Sequence, residues 1–119
     1  MTFSSDFKVD FSFQSRLDES SHVIAKYPDR RPIICEKSTR QPNLPTIDKK
    51  KYLVPRGLTV SQFIHIIRNR LRLPAEKALY LFIQGVIPAS SCMMETIYDC
   101  YSEEDGFLYV VYTFENTFG

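Results

Sequence analysis

An α+β fold is predicted by three features of this 119-residue chain. A segment beginning at Thr59 carries a helix-start signal, followed by apolar residues at helical spacing. Short apolar runs of strand type lie both before and after it. The elements follow in the order helix, two strands, helix, strand, short helix, strand, which sets one helix across a mixed sheet.

The opening residues, 1–12, mix serines with Phe3, Phe7 and Phe11, and Phe13 follows closely. That aromatic content predicts a short helical or turn-like segment packed on the domain. A helix is predicted over 15–26, with Leu17, Val23 and Ile24 toward a core. Pro28 ends it by steering Tyr27 away from helical angles. Arg31-Pro-Ile-Ile-Cys-Glu36 reads as a strand, with its proline near the start, where a missing N–H does least harm. Prolines and polar residues make 38–47 a loop. Lys49 to Val54 reads as a second strand. Alternation puts Lys49, Lys51 and Leu53 on one face and Lys50, Tyr52 and Val54 on the other.

In the central helix, Thr59 and Gln62 form a capping box, each side chain satisfying a backbone N–H at the helix start. Val60, Ile64, Ile67 and Leu71 make the stripe that should be buried, and Pro74 closes the element. Residues 78–83 read as a buried strand and Gln84-Gly85 as a turn. Residues 91–101 read as a short helix with Met94, Ile97, Tyr98 and Tyr101 on one stripe, and 107–112 as a final strand. Two strands, a crossing helix and further strands on one sheet are the β-grasp arrangement.

A chain of this length builds one hydrophobic core without disulfide or metal staples. Its 15 Lys and Arg nearly balance 14 Asp and Glu, so net charge gives no signal for nucleic acid or an acidic membrane. Cys35, Cys92 and Cys100 cannot all pair, and no secretory signal opens the chain; a reduced cytosolic or nuclear setting fits. No apolar run approaches the roughly 20 residues that span a bilayer.

Motifs for catalysis are missing. His22 and His65 have no Cys or acid at metal-site spacing, the four glycines are scattered, and no nucleophile elbow occurs. The chain is read as a non-enzyme with no metal and no cofactor. Lys49-Lys50-Lys51 has two readings that the residues leave open. Lysines blunt an edge strand against aggregation; equally, they select acidic flanks on a peptide that adds to that edge. Tyr52, Val54, Pro55, Leu58 and Phe63 are either core or the lining of such a peptide pocket. Arg68, Arg70 and Arg72 spread around a helix and read as a solvated face. The terminal Gly119 suits a carboxylate that is itself the reactive group, because glycine has no Cβ to clash in a narrow enzyme cleft.

Several blocks in order resemble the ubiquitin-like autophagy modifiers of the GABARAP type. They are Lys26-Tyr-Pro-Asp-Arg30, Asp48-Lys-Lys-Lys-Tyr-Leu-Val-Pro55, Leu58-Thr-Val-Ser-Gln-Phe63, Ile67-Arg-Asn-Arg70, Asp105-Gly-Phe-Leu-Tyr109 and the close Glu115-Asn-Thr-Phe-Gly119. The resemblance covers about Phe13 to Gly119. It implies a ubiquitin-like β-grasp core over 29–113, two additional N-terminal helices in 1–28 packed on it, and a flexible tail over 114–119.

It also implies a groove for aromatic-x-x-aliphatic peptides. Glu19, Val23, Pro32, Ile34, Lys51, Leu53 and Phe107 match the aromatic pocket. Tyr52, Val54, Pro55, Leu58, Phe63 and Ile66 match the aliphatic one. Arg30, Lys49 and Arg70 match positions that meet acidic residues around the motif, and Tyr80 and Phe82 a second docking face.

By the same resemblance, Gly119 is activated as a thioester and joined by an amide bond to phosphatidylethanolamine on the autophagosome. The implied partners are activating and conjugating enzymes, a delipidating cysteine protease, cargo receptors and the phosphatidylethanolamine membrane. No nucleic acid is implied, and the chain is expected to be a monomer. Microtubules are a further family partner, an expectation weakened here because the usual basic stretch is thinned to Ser15-Arg-Leu17. The implied locations are cytoplasm, autophagosome membrane when lipidated, and vacuole or lysosome on delivery. Whether Gly119 is encoded last or exposed by proteolysis is left open, and a non-conjugated trafficking adaptor using the same groove is the alternative. The loop Gln41-Pro-Asn-Leu-Pro45 is unusual in composition, and Cys35 stands where an aliphatic residue is common.

Overall fold

The computed structural model describes residues 5–39 and 44–114. Its elements are α1 (Asp6–Asp10), α2 (Phe13–Lys26), β1 (Arg30–Lys37), β2 (Lys51–Pro55), α3 (Val60–Leu71), β3 (Tyr80–Phe82), α4 (Met94–Tyr101) and β4 (Leu108–Thr113). The four strands form one sheet in the order β2-β1-β4-β3, with β1 and β4 parallel at its centre and antiparallel strands outside. This is the expected β-grasp.

Helix α2 starts earlier than predicted because the Ser12 side chain accepts from Ser15 N–H at 3.1 Å, an N-cap. Its buried residues are Arg16 and Ser20; Leu17, Val23 and Ile24, expected toward the core, are only half-buried. The Thr59–Gln62 capping box forms in both directions, at 2.9 and 3.2 Å. Helix α3 ends on Arg72 in the left-handed conformation, at φ 55°. The predicted turn is a two-residue hairpin, in which Ile83 and Val86 exchange both backbone hydrogen bonds around Gln84 and Gly85 at φ 51° and 79°.

Side-chain alternation divides the sheet into two faces. Ile33, Cys35, Tyr52, Val54, Leu108, Val110 and Tyr112 pack with Val60, Phe63 and Ile67 of α3 and Met94 and Ile97 of α4. Ile34, Phe107 and Tyr109 face the other way, onto Phe7 of α1. The Cys35 thiol is fully buried, and desolvation pushes its pKa well up, so it packs as a small apolar side chain. Tyr112 ties the β1–β2 connection down: its hydroxyl donates to Pro45 O at 2.7 Å and accepts from Ile47 N–H at 2.9 Å. Burial pushes its pKa up to about 12.

The stripe on α3 is rotated from the sequence expectation. Val60, Phe63 and Ile67 are buried, whereas Ile64 and Leu71 are half-buried at the flank. Ile67→Ala is therefore expected to destabilise the fold by about 2–5 kcal/mol, the range for deleting a packed aliphatic side chain. Ile64→Ala should cost measurably less. Urea denaturation of the two variants checks the order, and equal losses would contradict this orientation of the helix.

Candidate functional site

Strand β2 is the feature from which a site can be built. It pairs with β1 alone, so its other side is an open edge among the described residues. Cys35 N–H donates to Lys50 O at 2.8 Å. An antiparallel ladder repeats every second residue, so Tyr52 and Val54 bond to β1. Lys51 and Leu53 then aim their backbone groups away from β1, toward the edge. There the Arg30 guanidinium donates to Leu53 O at 3.3 Å.

Each face of the sheet supplies one side of a groove along this edge. On the α2 side, Pro32 sits opposite Leu53 and Ile34 opposite Lys51. Pro32, Ile34 and Phe107 are buried, Leu53 half-buried and Lys51 exposed. Lys51 Nζ lies 2.8 Å from Glu19 Oε2 on α2, an ion pair that bridges the helix to the edge strand. Val23 follows Glu19 one turn later on the same helix and is half-buried. Phe7 backs this side: its ring is 5.2 Å from that of Phe107, edge-on, with the Lys51 ammonium 5.9 Å from its centroid.

On the α3 side, the Tyr52 and Phe63 rings meet edge-on at 5.6 Å, with Val54 buried beside them. Leu58 is half-buried, while Ile66 and Pro55 are exposed. The Tyr52 hydroxyl is buried and has no hydrogen-bond partner among the described residues, and burial pushes its pKa up. Tyr52 is thus a core residue that only borders the edge.

The cations near the edge behave differently from one another. Arg70 Nε lies 3.0 Å from Asp48 Oδ1, and Nη2 lies 3.3 Å from Oδ2. Lys49 lies over the Tyr52 ring at 5.1 Å, and Lys50 pairs with Glu36 at 3.4 Å. The two-face alternation expected from Lys49 onward therefore begins only at Lys51, where the strand begins. Tyr80 and Phe82 sit on β3, at the opposite edge of the sheet. Tyr80 is half-buried, but Phe82 is only 3% exposed and offers little surface. Gly119 lies outside the described residues, as does most of the 114–119 tail.

Two buried polar clusters that position the site escaped the sequence reading. Asp105, 2% exposed, accepts from Arg16 Nε at 3.0 Å, from Phe107 N–H at 3.0 Å and from the Tyr109 hydroxyl at 2.5 Å. Ser20 donates to Asp105 O at 2.5 Å. Gly106, at φ 86°, passes so close to Ser20 that a Cβ would stand 2.2 Å from its Oγ. Glu36 accepts from Ser5 Oγ at 2.5 Å and from Phe7 N–H at 3.1 Å, which fastens α1 to the sheet. An acid inside an otherwise apolar strand was the one available signal for Glu36. No sequence signal marked Asp105, which closes the acidic run Glu103-Glu104-Asp105. No group of three or more His, Cys, Asp or Glu residues suited to a metal occurs among the described residues.

A β-grasp domain with two packed N-terminal helices and an open β2 edge has the form of a ubiquitin-like protein. The family model described as "Autophagy protein Atg8 ubiquitin like" matches residues 15–119. Autophagy-related protein 8 of Mycosarcoma maydis is 53% identical over 115 residues, spanning 97% of both chains. That of Schizosaccharomyces pombe is 52% identical, over 97% of this chain and 94% of the relative. The crystal structure of Trypanosoma brucei ATG8 superposes with a TM-score of 0.89 at 42% identity, covering 98% of this chain and 99% of that one. Plasmodium falciparum Atg8, solved in complex with a Plasmodium falciparum Atg3 peptide, gives 0.85 at 34% identity over 94% and 98%. The chain belongs to the Atg8 family of ubiquitin-like autophagy proteins. It is accordingly a modifier and adaptor, not an enzyme.

Proposed function

We propose that this protein is conjugated through Gly119 to phosphatidylethanolamine on autophagosomal membranes and recruits aromatic-x-x-aliphatic peptides there. The observation that carries the peptide half is the open β2 edge between two apolar clusters. A peptide adding as a strand would bond to the outward groups of Lys51 and Leu53. Its aromatic residue would enter beside Glu19, Val23, Pro32, Ile34, Lys51, Leu53 and Phe107. Its aliphatic residue would rest on Leu58, Ile66, Pro55 and the Tyr52–Phe63 pair. Main-chain bonds give affinity in this mode and side-chain pockets give selectivity. Arg30, Lys49 and Arg70 would meet acidic flanks.

The Plasmodium falciparum relative was solved with an Atg3 peptide, which supports binding of a conjugating enzyme here as well. Cargo receptors, an activating enzyme and a delipidating cysteine protease complete the proposed partners. Tyr80 on β3 would serve a second docking face, with Phe82 beneath it. No described helix is long and apolar enough to cross a membrane. The proposed lipid supplies two acyl chains, and two give stable attachment where one is marginal. The protein would then occupy the cytoplasm, the autophagosome membrane once lipidated, and the vacuole or lysosome after delivery.

Tyr52 is a poor probe of the groove, since truncating it would damage the core. Leu53→Ala combined with Ile66→Ala removes groove surface outside that core. The pair should weaken an acidic-flanked aromatic-x-x-aliphatic peptide at least about tenfold, because a large apolar group buried at an interface contributes roughly 1.5–3 kcal/mol. Calorimetry at an unchanged melting temperature decides this, and an unaltered Kd would remove the β2 edge as the docking site.

A further inference from the structure

We propose that Asp48 moderates the groove's preference for acidic peptides, by competing with them for Arg70. This rests on the peptide-groove reading above. The Arg70–Asp48 pair is bidentate, Nε to Oδ1 at 3.0 Å and Nη2 to Oδ2 at 3.3 Å, the arrangement a peptide carboxylate would itself adopt on a guanidinium. Both partners are open to water, with the side chains 41% and 71% exposed for Arg70 and Asp48. An exposed pair of this kind contributes little to the fold, so it is free to exchange.

Asp48 lies three residues before β2 begins at Lys51, at the end of the strand where a peptide flank would run out over Lys49. Lys49 has no carboxylate partner among the described residues and rests over the Tyr52 ring. The two cations therefore read acidity differently. Lys49 accepts an acidic residue without displacing anything. A residue that reaches Arg70 must first displace Asp48, so only a flank with sufficient negative charge draws on it. Asp48 thereby acts as an internal stand-in for the peptide's own carboxylate. It lowers the return on a weakly acidic flank and protects the guanidinium from unrelated anions.

The test uses the full chain and two synthetic peptides with one aromatic-x-x-aliphatic motif. One carries three acidic residues before the aromatic, the other three serines. Calorimetry compares wild type, Asp48→Asn, Arg70→Gln and the double variant. Asp48→Asn keeps the side-chain shape, and should tighten the acidic peptide by about two- to fivefold, the range an exposed ion pair spans. The serine peptide should change less than about twofold on the same reasoning, since it offers Arg70 no carboxylate. In the Arg70→Gln background the gain should vanish. A gain that survives in that background would show a general field effect of the lost charge, and overturn the competition. Weaker acidic-peptide binding by Asp48→Asn would overturn it too, by showing that Asp48 positions Arg70 for the peptide. If wild type binds neither peptide, the groove reading itself fails and this proposal falls with it. Binding of both peptides with no response to Asp48→Asn overturns the proposal alone.

Discussion

Deleting Gly119 is expected to abolish lipid conjugation, and Gly119→Ala to impair it severely while peptide binding stays intact. In the proposed reaction the amine of phosphatidylethanolamine attacks a thioester carbonyl, and the enzyme's cysteine leaves as thiolate. That carbonyl belongs to the last residue, so it must pass through a narrow cleft to reach the enzyme sulfur. Glycine has no Cβ to obstruct it, whereas the deletion would present the carbonyl of Phe118, with its ring attached. None of the residues assigned to the proposed groove lies beyond Phe107 in the sequence, so its affinity should not follow the loss. Reconstitution with activating and conjugating enzymes, ATP and phosphatidylethanolamine liposomes measures the product. A lipidated deletion variant would sink the mechanism. A variant cut back before Gly119 that still supported full membrane recruitment in cells would favour the non-conjugated adaptor.

The second large effect is expected inside the fold. Asp105→Ala should destabilise the protein by about 3–5 kcal/mol, because removing one partner of a buried ion pair strands the other charge. Arg16 would keep its hydrogen bonds to Lys8 O and Phe11 O but lose the one carboxylate it pairs with among the described residues. Phe107 N–H and the Tyr109 hydroxyl would lose their acceptors in the same change. Asp105→Asn removes the charge and turns one acceptor oxygen into an NH2 donor, so it keeps acceptance either for Phe107 N–H or for the Arg16 and Tyr109 donors, and its loss should be smaller than that of alanine. Denaturant unfolding of both variants gives the comparison. A loss below about 1 kcal/mol for Asp105→Ala would mean that the cluster is not the buried lock described here. The consequence reaches the groove, since Asp105 holds the backbone of Phe107, the floor of the proposed aromatic pocket.

Much of this architecture was legible along the chain. The Thr59–Gln62 box, the Gln84-Gly85 turn and the β-type runs depend on neighbours a few residues apart, and local hydrogen bonding settles such features. The opening aromatics predicted a packed segment, and Phe7 at 1% exposure is its anchor. The ordered blocks that resemble the autophagy modifiers identified the family, because they preserve local chemistry in register. Other readings depended on partners distant in sequence. Helical spacing suits both Phe63 and Ile64, and only the seat of α3 on the sheet decided that Phe63 lies at the centre. Nothing in the sequence marked Arg16, Ser20 and Asp105 for burial, since polar side chains are usually exposed. They are buried because α2 and the turn before β4 bring donors and acceptors 85 and 89 residues apart into contact. The same holds at the groove. The resemblance grouped Arg30, Lys49 and Arg70 as cations that meet acidic residues and put Lys51 in the aromatic pocket, but only the folded chain pairs Lys51 with Glu19 and Arg70 with Asp48 while leaving Lys49 on an aromatic ring. Composition supplies the charges; which of them meet is decided by the geometry of the sheet edge and the two helices beside it.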